Sequence, residues 1–324
     1  MTSSYANEQR TRAGRLKERL LQKYQGCTID GLPGGALLQN DAGCCLCLKS
    51  RHQVGWPHPT PASVRRVLKS ELRLIDGIES QTEGRLRRTG FETIEDLAEH
   101  PLYQENARRF LDLLDREDHM GVIRWVERGF SPSHPLALTA AGLRFRNDFL
   151  FFDIETLGLK DQPVILIGVG QTEGKELVVR QYLPRNLEEE RAVLRAFSGH
   201  VRPDSVLVSF NGRHFDAPYV QGRLAYHGLP PLPVTSHLDL LLFARRAWYG
   251  MVPNCRLGTL ERHILGIHRV DDVPSALVPE FYLTYLQSGN MGPVVPIVTH
   301  NRQDIVTLAA LLSKLSEEGG EEKV

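Results

Sequence analysis

Short apolar runs alternate with amphipathic stretches along the second half of this chain. The runs are bounded by glycine, proline or charged residues, as strands are. The predicted strands cover residues 150–154, 163–169, 176–182 and 205–210. Helical spacing covers residues 187–197 and the segment that follows His300. Three strands that can pair antiparallel, then a crossover helix and another strand, predict an α/β domain with a mixed sheet flanked by helices.

The first half of the chain is dominated by helical patterns. Residues 7–24 place leucines at helical spacing among many charged residues, which predicts a basic surface helix. A solvated helix is the favoured interpretation, and a nucleic-acid-binding arm is the alternative. Residues 63–130 are also predicted to be helical, so a small helical domain is expected to precede the mixed sheet.

Two proline-containing stretches, residues 57–61 and 132–146, are predicted to be linkers. They divide the chain into segments that differ in their predicted secondary structure. The segments are residues 1–60 with a basic helix and short strands, 61–135 with the helical domain, 145–316 with the mixed sheet, and 317–324 as an acidic tail.

Composition narrows the class of protein. The 324 residues suffice for two or three domains, and 41% hydrophobic and 24% charged residues are ordinary for a water-soluble protein. No apolar run approaches the roughly 20 residues of a membrane span, and the N-terminus has no apolar signal core. A cytoplasmic protein with no membrane partner is therefore expected. The formal net charge of zero neither favours nor excludes nucleic acid.

Three of the five cysteines, Cys44, Cys45 and Cys47, lie in a predicted short strand after Gly43. An odd number of unevenly spaced cysteines does not indicate a disulfide framework. A zinc site with the downstream His52 and His58 is an alternative. A structural zinc site usually takes four ligands in two pairs of Cys-x₂₋₄-Cys type, and that pairing is missing here, so buried cysteines acting as small apolar residues are favoured.

Two carboxylates end the apolar run of the first predicted strand. Asp153 and Glu155 are two residues apart, so they point to the same face of that strand. Two like charges at so short a distance repel each other and raise the free energy of the fold unless a cation neutralises them. Hard carboxylate oxygens suit Mg²⁺ or Mn²⁺. Two solvated acids at a strand end are the plain alternative.

Three more residues extend this set of acids. Asp216 follows a turn after the fourth strand, and a strand adjacent to the first would bring it next to Asp153. His300 and Asp304 are four residues apart on one face of an amphipathic helix. Each of these residues alone is ordinary, as a helix-starting acid or a solvated pair. Together with the strand carboxylates, Asp304 is interpreted as a fourth metal ligand.

These residues form three motifs: Asp153-Ile154-Glu155, Asn211-x₃-Phe215-Asp216 and His300-x₃-Asp304. Their order resembles the DEDD 3′–5′ exonucleases, and over residues 145–315 the chain most resembles the bacterial YprB-type ribonuclease H-like family. Further matching segments are residues 237–240, 255–261, 269–272 and 279–282. The resemblance implies a ribonuclease H-like mixed sheet. The His300 motif departs from both well-known subtypes, because histidine stands at the spacing that one subtype gives to tyrosine.

The resemblance also implies roles for these residues. Two divalent cations, Mg²⁺ or Mn²⁺, would be held by Asp153, Glu155, Asp216 and Asp304, with Asp153 bridging both. His300 would orient or deprotonate the attacking water.

Other polar residues of this region are candidates for binding substrate. Asn211 and Phe215 would shape the seat of the 3′-terminal nucleotide, with Phe215 either stacking on a base or filling the core. Arg256, with Arg245 and Arg246, is a candidate for holding phosphates. Asp239 is interpreted as a residue supporting the site, with helix capping as the alternative.

Local signals in residues 72–97 predict two short helices joined by a turn. Gly77 and Gly90 are helix-end signals. Thr93 with Asp96 three residues later is a helix-start signal.

This segment resembles a helix-hairpin-helix unit, which holds a nucleic-acid phosphate on backbone N–H groups. Glu79 replaces the usual second hairpin glycine and puts an anion beside that phosphate site. A helical packing domain is the equal alternative, and Arg85, Arg87 and Arg88 are the residues that would distinguish the two.

The leading hypothesis is a metal-dependent 3′–5′ exonuclease that acts on DNA or RNA with a free 3′ end. One alternative is a non-catalytic module that binds nucleic acid or a protein partner. The other is an endonuclease that uses the same metal chemistry.

Overall fold

The computed structural model describes residues 2–55, 59–233 and 235–321, with side chains from Arg10 to Glu318. The helices are α1 (Thr2–Lys23), α2 (Pro61–Ser70), α3 (Ser80–Arg88), α4 (Ile94–Leu97), α5 (Gln104–Asp115), α6 (His119–Gly129), α7 (Pro135–Ala141), α8 (Glu190–Ser198), α9 (Asp216–Tyr226), α10 (Leu240–Trp248), α11 (Leu257–Leu260), α12 (Val278–Ser288) and α13 (Val294–Glu321). The strands are β1 (Gly35–Asn40), β2 (Gly43–Gln53), β3 (Phe149–Thr156), β4 (Val164–Glu173), β5 (Glu176–Leu183), β6 (Val206–Ser209) and β7 (Ser236–Asp239).

The strands form one seven-stranded sheet in the order β1-β2-β5-β4-β3-β6-β7. Strand β3 lies near its centre, antiparallel to β4 and parallel to β6. Strand β6 is in turn parallel to β7, and β4 is antiparallel to β5. The predicted fold class, a mixed α/β sheet flanked by helices and accompanied by a helical part, is confirmed.

Helices cover both faces of the sheet, which explains why its central strands are apolar on both sides. On one face, Ile305 and Leu308 of α13 pack with Phe151 of β3. On the other face, Val193 of α8 and Val220 of α9 pack in one cluster with Phe152. Strand β3 therefore presents alternate side chains to α13 on one side and to α8 and α9 on the other.

Strands β1 and β2 form a hairpin that extends this sheet at one edge. Strand β2 is eleven residues long and pairs antiparallel with β5, so the strand predicted around the cysteines is longer than its alternating pattern indicated. Cys45 is fully buried, and burial raises the pKa of its thiol to about 12, as fits an apolar packing role. The sheet thus joins residues of the predicted first and third segments.

The prediction of a linker at residues 132–146 is wrong for the central part of this stretch, which forms helix α7. Pro135 occupies the first turn of this helix, where its missing N–H costs nothing, and His134 caps the helix. Leu136, Ala137, Ala140 and Ala141 are buried. Proline here starts a packed helix, which a count of prolines and glycines does not reveal.

The helical part between the two sheet-forming regions has its own core. It contains Leu68, Ile94, Phe110 and Ile123 among other buried residues. The predicted start of α4 is confirmed, because Thr93 and Asp96 form a reciprocal capping box. Gly90 has a positive φ angle just beyond α3, as the predicted helix end requires. Gly77 also has a positive φ angle, but it lies in a turn between the 3₁₀ segment Leu72–Leu74 and α3 and ends no α-helix.

Some predictions concern residues at the limits of the described chain. Residues 57 and 58 of the first predicted linker, including His58 of the zinc alternative, lie outside the described residues. Residues 317–321 of the predicted acidic tail continue helix α13, and residues 322–324 are not described. Of the helices described, none is long and apolar enough to cross a lipid bilayer.

Candidate active site

Asp153 and Glu155 lie near the C-terminal end of strand β3, on the face of the sheet that packs against α13. They follow Phe149 and Phe151 at every second position, so they lie on the same face as those buried rings. The pairing with β4 is irregular between Glu155 and Thr156, which ends the regular ladder just beyond the two acids. The predicted common face of Asp153 and Glu155 thus lies against α13.

Helix α13 contributes His300, Asn301 and Asp304 to this end of the sheet. The Asn301 amide donates hydrogen bonds to Asp153 Oδ2 at 2.8 Å and to the Asp153 carbonyl oxygen at 3.1 Å. Asn301 Oδ1 accepts a hydrogen bond from Gln181 Nε2 at 2.8 Å. Asn301 is fully buried, so this chain of hydrogen bonds fixes the Asp153 carboxylate against the helix.

Asp216 is the first residue of α9 and lies beside β3. Its carboxylate accepts a hydrogen bond from the backbone N–H of Ile154 at 3.2 Å, between the two strand acids. The turn before it contains Asn211 with a φ angle of 67°. Gly212 leaves no room for a side chain, since a Cβ there would lie 2.3 Å from Ser209 Oγ. The predicted proximity of Asp216 to Asp153 is thereby realised.

Asp239 supports this turn rather than the reacting centre. It accepts hydrogen bonds from the backbone N–H groups of Asn211 at 2.7 Å and Arg213 at 3.2 Å. It also caps α10 through the N–H of Leu241 at 3.2 Å. Helix capping, the alternative interpretation, is therefore observed, together with support of the turn that leads to Asp216.

An ion-pair cluster lies next to Asp304 and was not assigned a role from the sequence. Arg269 donates from Nε and Nη2 to the two carboxylate oxygens of Glu261, both at 2.6 Å. The same Nη2 forms an ion pair with Asp304. Glu261 is 1% exposed, so a buried acid fixes the arginine that neutralises Asp304.

His300 lies close to three acids, and Arg269 Nη1 is also 3.2 Å from its Nδ1. Its Nδ1 lies 2.7 Å from Asp272 Oδ1, and its Nε2 lies 3.5 Å from Asp304 Oδ2 and 3.9 Å from Glu155 Oε1. Burial lowers the pKa of His300, but the hydrogen bond to Asp272 and the nearby carboxylates outweigh it and raise the pKa to about 9. The raised pKa favours the protonated form of His300 in the metal-free site, so its role as a proton acceptor stays a prediction.

The four carboxylates have raised pKa values. Burial is the largest cause for each, and repulsion between the acids adds to it. The pKa of Glu155 rises to about 8 and that of Asp216 to about 7. The pKa of Asp153 is also raised, and that of Asp304 is raised despite opposing effects from His300 and Arg269. Such a set of buried, mutually repelling acids is typical of a functional site.

The donor set suits a hard divalent cation by its chemistry, since it supplies carboxylate oxygens and few competing nitrogens. Across residues 2–55, 59–233 and 235–321, however, no three His, Cys, Asp or Glu side chains are arranged to hold a metal ion. One carboxylate oxygen of each of Asp153, Asp216 and Asp304 is engaged, by Asn301, the Ile154 N–H and Arg269 respectively. A cation held by these residues would bind their other carboxylate oxygens or displace one of these partners.

The predicted substrate residues are less closely connected to the acids. Asn211 is exposed on the turn before Asp216. Phe215 is partly buried and packs on Tyr219 with ring centroids 5.3 Å apart, as its core-filling alternative predicted. Arg256 is exposed just before α11, and its described hydrogen bonds and ion pairs reach none of the four acids. Arg245 and Arg246 are exposed in the last turn of α10.

Comparison with known proteins agrees with this fold. Residues 150–316 match the sequence model of the RNase_H superfamily. This match covers just over half of the chain and contains the four acids and His300, so the chain belongs to the RNase_H superfamily. It is also 33% identical over 198 residues to the uncharacterized protein YprB of Bacillus subtilis. The aligned region is 60% of this chain and 46% of YprB, so the chain matches less than half the length of that relative.

We expect Gly168→Ala to disturb the site from the neighbouring strand. Gly168 pairs with Asp153, and a Cβ there would lie 2.2 Å from Asn301 Oδ1. Buried Asn301 has no open side to move into, so overpacking of this kind costs about 1–3 kcal/mol of unfolding free energy. Chemical denaturation measures the loss.

The matched control is Gly222→Ala, because a Cβ at Gly222 of α9 meets no atom within 4 Å. It should be neutral or stabilise the helix by about 0.5–1 kcal/mol. Equal unfolding free energies for the Gly168→Ala and Gly222→Ala proteins would contradict the proposed packing of Asn301.

The stability that Glu155 and Asp216 contribute to the metal-free protein should decrease as the pH rises from about 4 to 8. Glu155 and Asp216 have folded pKa values of about 8 and 7, above their ordinary values of 4.5 and 3.8. The folded state therefore binds more protons than the unfolded state in this window, and this favourable contribution disappears as the pH rises. Thermal unfolding in EDTA across this window measures the effect as the difference between the wild type and the Glu155→Gln, Asp216→Asn protein.

Mg²⁺ or Mn²⁺ should restore stability most at the alkaline end, because a bound cation replaces the lost protons. A wild-type midpoint that rises with pH relative to that of the Glu155→Gln, Asp216→Asn protein, or a cation effect largest at acidic pH, would contradict the coupling of these acids.

Proposed function

We propose that this chain is a metal-dependent 3′–5′ exonuclease that hydrolyses phosphodiester bonds of DNA or RNA with two divalent cations. The observation that carries the proposal is the convergence of Asp153, Glu155, Asp216 and Asp304 from β3, α9 and α13, with raised pKa values. Membership of the RNase_H superfamily supports nuclease function in general. The DEDD-like order of the three motifs supports the exonuclease subtype.

The residues of the site divide this work between them. Asp153, Glu155 and Asp304 would hold one cation, and Asp216 with Asp153 the other. Two such cations supply an activated water and neutralise the charge that develops on the phosphate. Asn301 orients Asp153 through its amide. In its protonated state, His300 donates hydrogen bonds towards acids or phosphate oxygens.

Arg269 gives the site a built-in counter-charge. It neutralises Asp304 and is itself fixed by Glu261. Were Asp304 to bind a cation instead, one N–H of Arg269 Nη2 would be available for a phosphate oxygen, while its other contact to Glu261 would remain. Arg269 thereby supports both the metal-free fold and, in the proposal, the substrate-bound state.

The test is degradation of 3′- and 5′-labelled single-stranded DNA and RNA with Mg²⁺, Mn²⁺ or EDTA. Stepwise loss from the 3′ end that requires a cation is the expected result. A covalently closed DNA circle should stay intact, because an exonuclease needs a free end. Cutting of the circle would replace the proposal with an endonuclease, and binding without cleavage of any substrate would replace it with a non-catalytic binding module.

A further inference from the structure

A groove of about 780 Å³ runs between helix α1 and residues 258–274. Its inner wall includes Arg269 and Asp272. These two residues contact Asp304 and His300 directly. The groove is therefore adjacent to the candidate active site, because two of its lining residues contact residues of that site.

Helix α1 is oriented by an apolar stripe. Ala13, Leu16 and Leu20 are buried in a cluster that includes Phe281 and Tyr282 of α12. The spacing of these three residues places them on one face of the helix. This contact fixes which side of α1 is turned to the groove.

An arginine stripe runs beside the apolar one. Arg12, Arg15 and Arg19 each precede a residue of the apolar stripe by one position, so they share the same helical spacing. All three line the groove. Arg19 binds Asp271 on the opposite wall at 2.6 Å, which ties α1 to residues 258–274 at this point.

The charges of the groove do not cancel. Its acids are already engaged: Glu261 by Arg269, Asp271 by Arg19, and Asp272 by His300. Among the described side chains, three arginines that line the groove form no ion pair. They are Arg12, Arg15 and Arg262.

We infer that this groove binds the phosphate backbone of the nucleic-acid strand that the active site hydrolyses, an inference that rests on the proposed function. Uncompensated arginines along a groove are the usual means of following a phosphate backbone. None of the residues that line the described groove is aromatic, so its recognition does not rely on base stacking. An acidic polypeptide offers the same charge, but the adjacent site proposed for phosphodiester chemistry favours nucleic acid. Binding here is consequently sequence-tolerant and strongly salt-dependent.

The experiment measures binding of fluorescent DNA and RNA oligonucleotides by anisotropy over a range of salt concentrations. All proteins carry Asp153→Asn and are kept in EDTA, so that no substrate is lost during the titration. The test variant adds Arg12→Gln and Arg15→Gln. The control adds Arg66→Gln and Arg191→Gln, two exposed arginines outside the groove that form no ion pair among the described side chains.

The Arg12→Gln, Arg15→Gln protein should bind at least about tenfold more weakly at low salt. Each lost contact to a single strand reduces the slope of log affinity against log salt by about 0.7, so the slope should fall by about 1.4. A merely structural role of these arginines would not move that slope. The Arg66→Gln, Arg191→Gln control should keep both the affinity and the slope.

An unchanged salt slope in the Arg12→Gln, Arg15→Gln protein would overturn the groove assignment, even if the wild type degrades nucleic acid. Competition by polyglutamate as strong as that by an unlabelled oligonucleotide would also overturn it in favour of an acidic polypeptide. Loss of binding on either DNA or RNA supports it and identifies the polymer. If the Arg12→Gln, Arg15→Gln protein loses binding but the wild type cleaves no nucleic acid, the proposed activity is refuted. The groove then remains a nucleic-acid-binding surface.

Discussion

Replacement of Asp153 by asparagine is expected to reduce metal-dependent hydrolysis by about 10³-fold or more. The change keeps the shape of the side chain and an oxygen that can accept the Asn301 hydrogen bond. It removes the central charge of the four-acid cluster. Charge stabilisation by a bound cation contributes several kcal/mol to such a reaction, and each 1.36 kcal/mol is tenfold in rate. Initial rates of oligonucleotide hydrolysis with Mg²⁺ and Mn²⁺ measure the loss.

The same variant should not be less stable than the wild type in metal-free buffer. Asp153 has a raised pKa because it is buried among acids, so losing its charge relieves repulsion above neutral pH. The loss of hydrolysis is then separated from any loss of fold. Asp161→Asn is the matched control, since Asp161 is exposed and asparagine tolerates its φ angle of 55°. Hydrolysis by Asp153→Asn within about tenfold of the control would reject a metal-holding role for Asp153.

Replacement of Glu190 by glutamine is expected to cost about 3–5 kcal/mol of unfolding free energy. Glu190 is 1% exposed and accepts hydrogen bonds from Arg223 Nε at 2.7 Å and from the Val164 N–H at 2.8 Å. Its second oxygen lies 2.8 Å from His227 Nε2. A glutamine side chain has no charge, so the substitution would leave the buried guanidinium of Arg223 without compensation. Denaturant titration with a constant m-value measures the loss.

The effect of Glu190→Gln should reach the active site as well as the fold. Glu190 begins α8, and Arg223 and Asp216 both lie on α9, so the ion pair fixes the helix that carries one of the four acids. Glu188→Gln is the control, because Glu188 is exposed two residues away and surface changes stay within about 0.5 kcal/mol. A loss at Glu190 no larger than at Glu188 would show that the ion pair does not hold α9 in place.

Local patterns were enough to predict the elements that carry the acids. Period-two alternation in β3 placed Asp153 and Glu155 on one face, and helical spacing placed His300 and Asp304 on one face. The capping box of Thr93 is equally local, since its two partners are three residues apart. Each of these features depends on residues that are only a few positions apart, so it can be identified from the sequence itself.

The tertiary structure alone decided which distant side chains hold those acids. Asn301 meets Asp153 across 148 positions of chain, and Gly168 makes room for it. Arg269 meets Asp304 across 35 positions, and no periodicity relates the two. The pairing of β2 with β5 and the packing of α7 were likewise outside the reach of local pattern. The physical reason is that such contacts are set by how the elements pack around a common core, whereas periodicity reports only which face of each element is apolar.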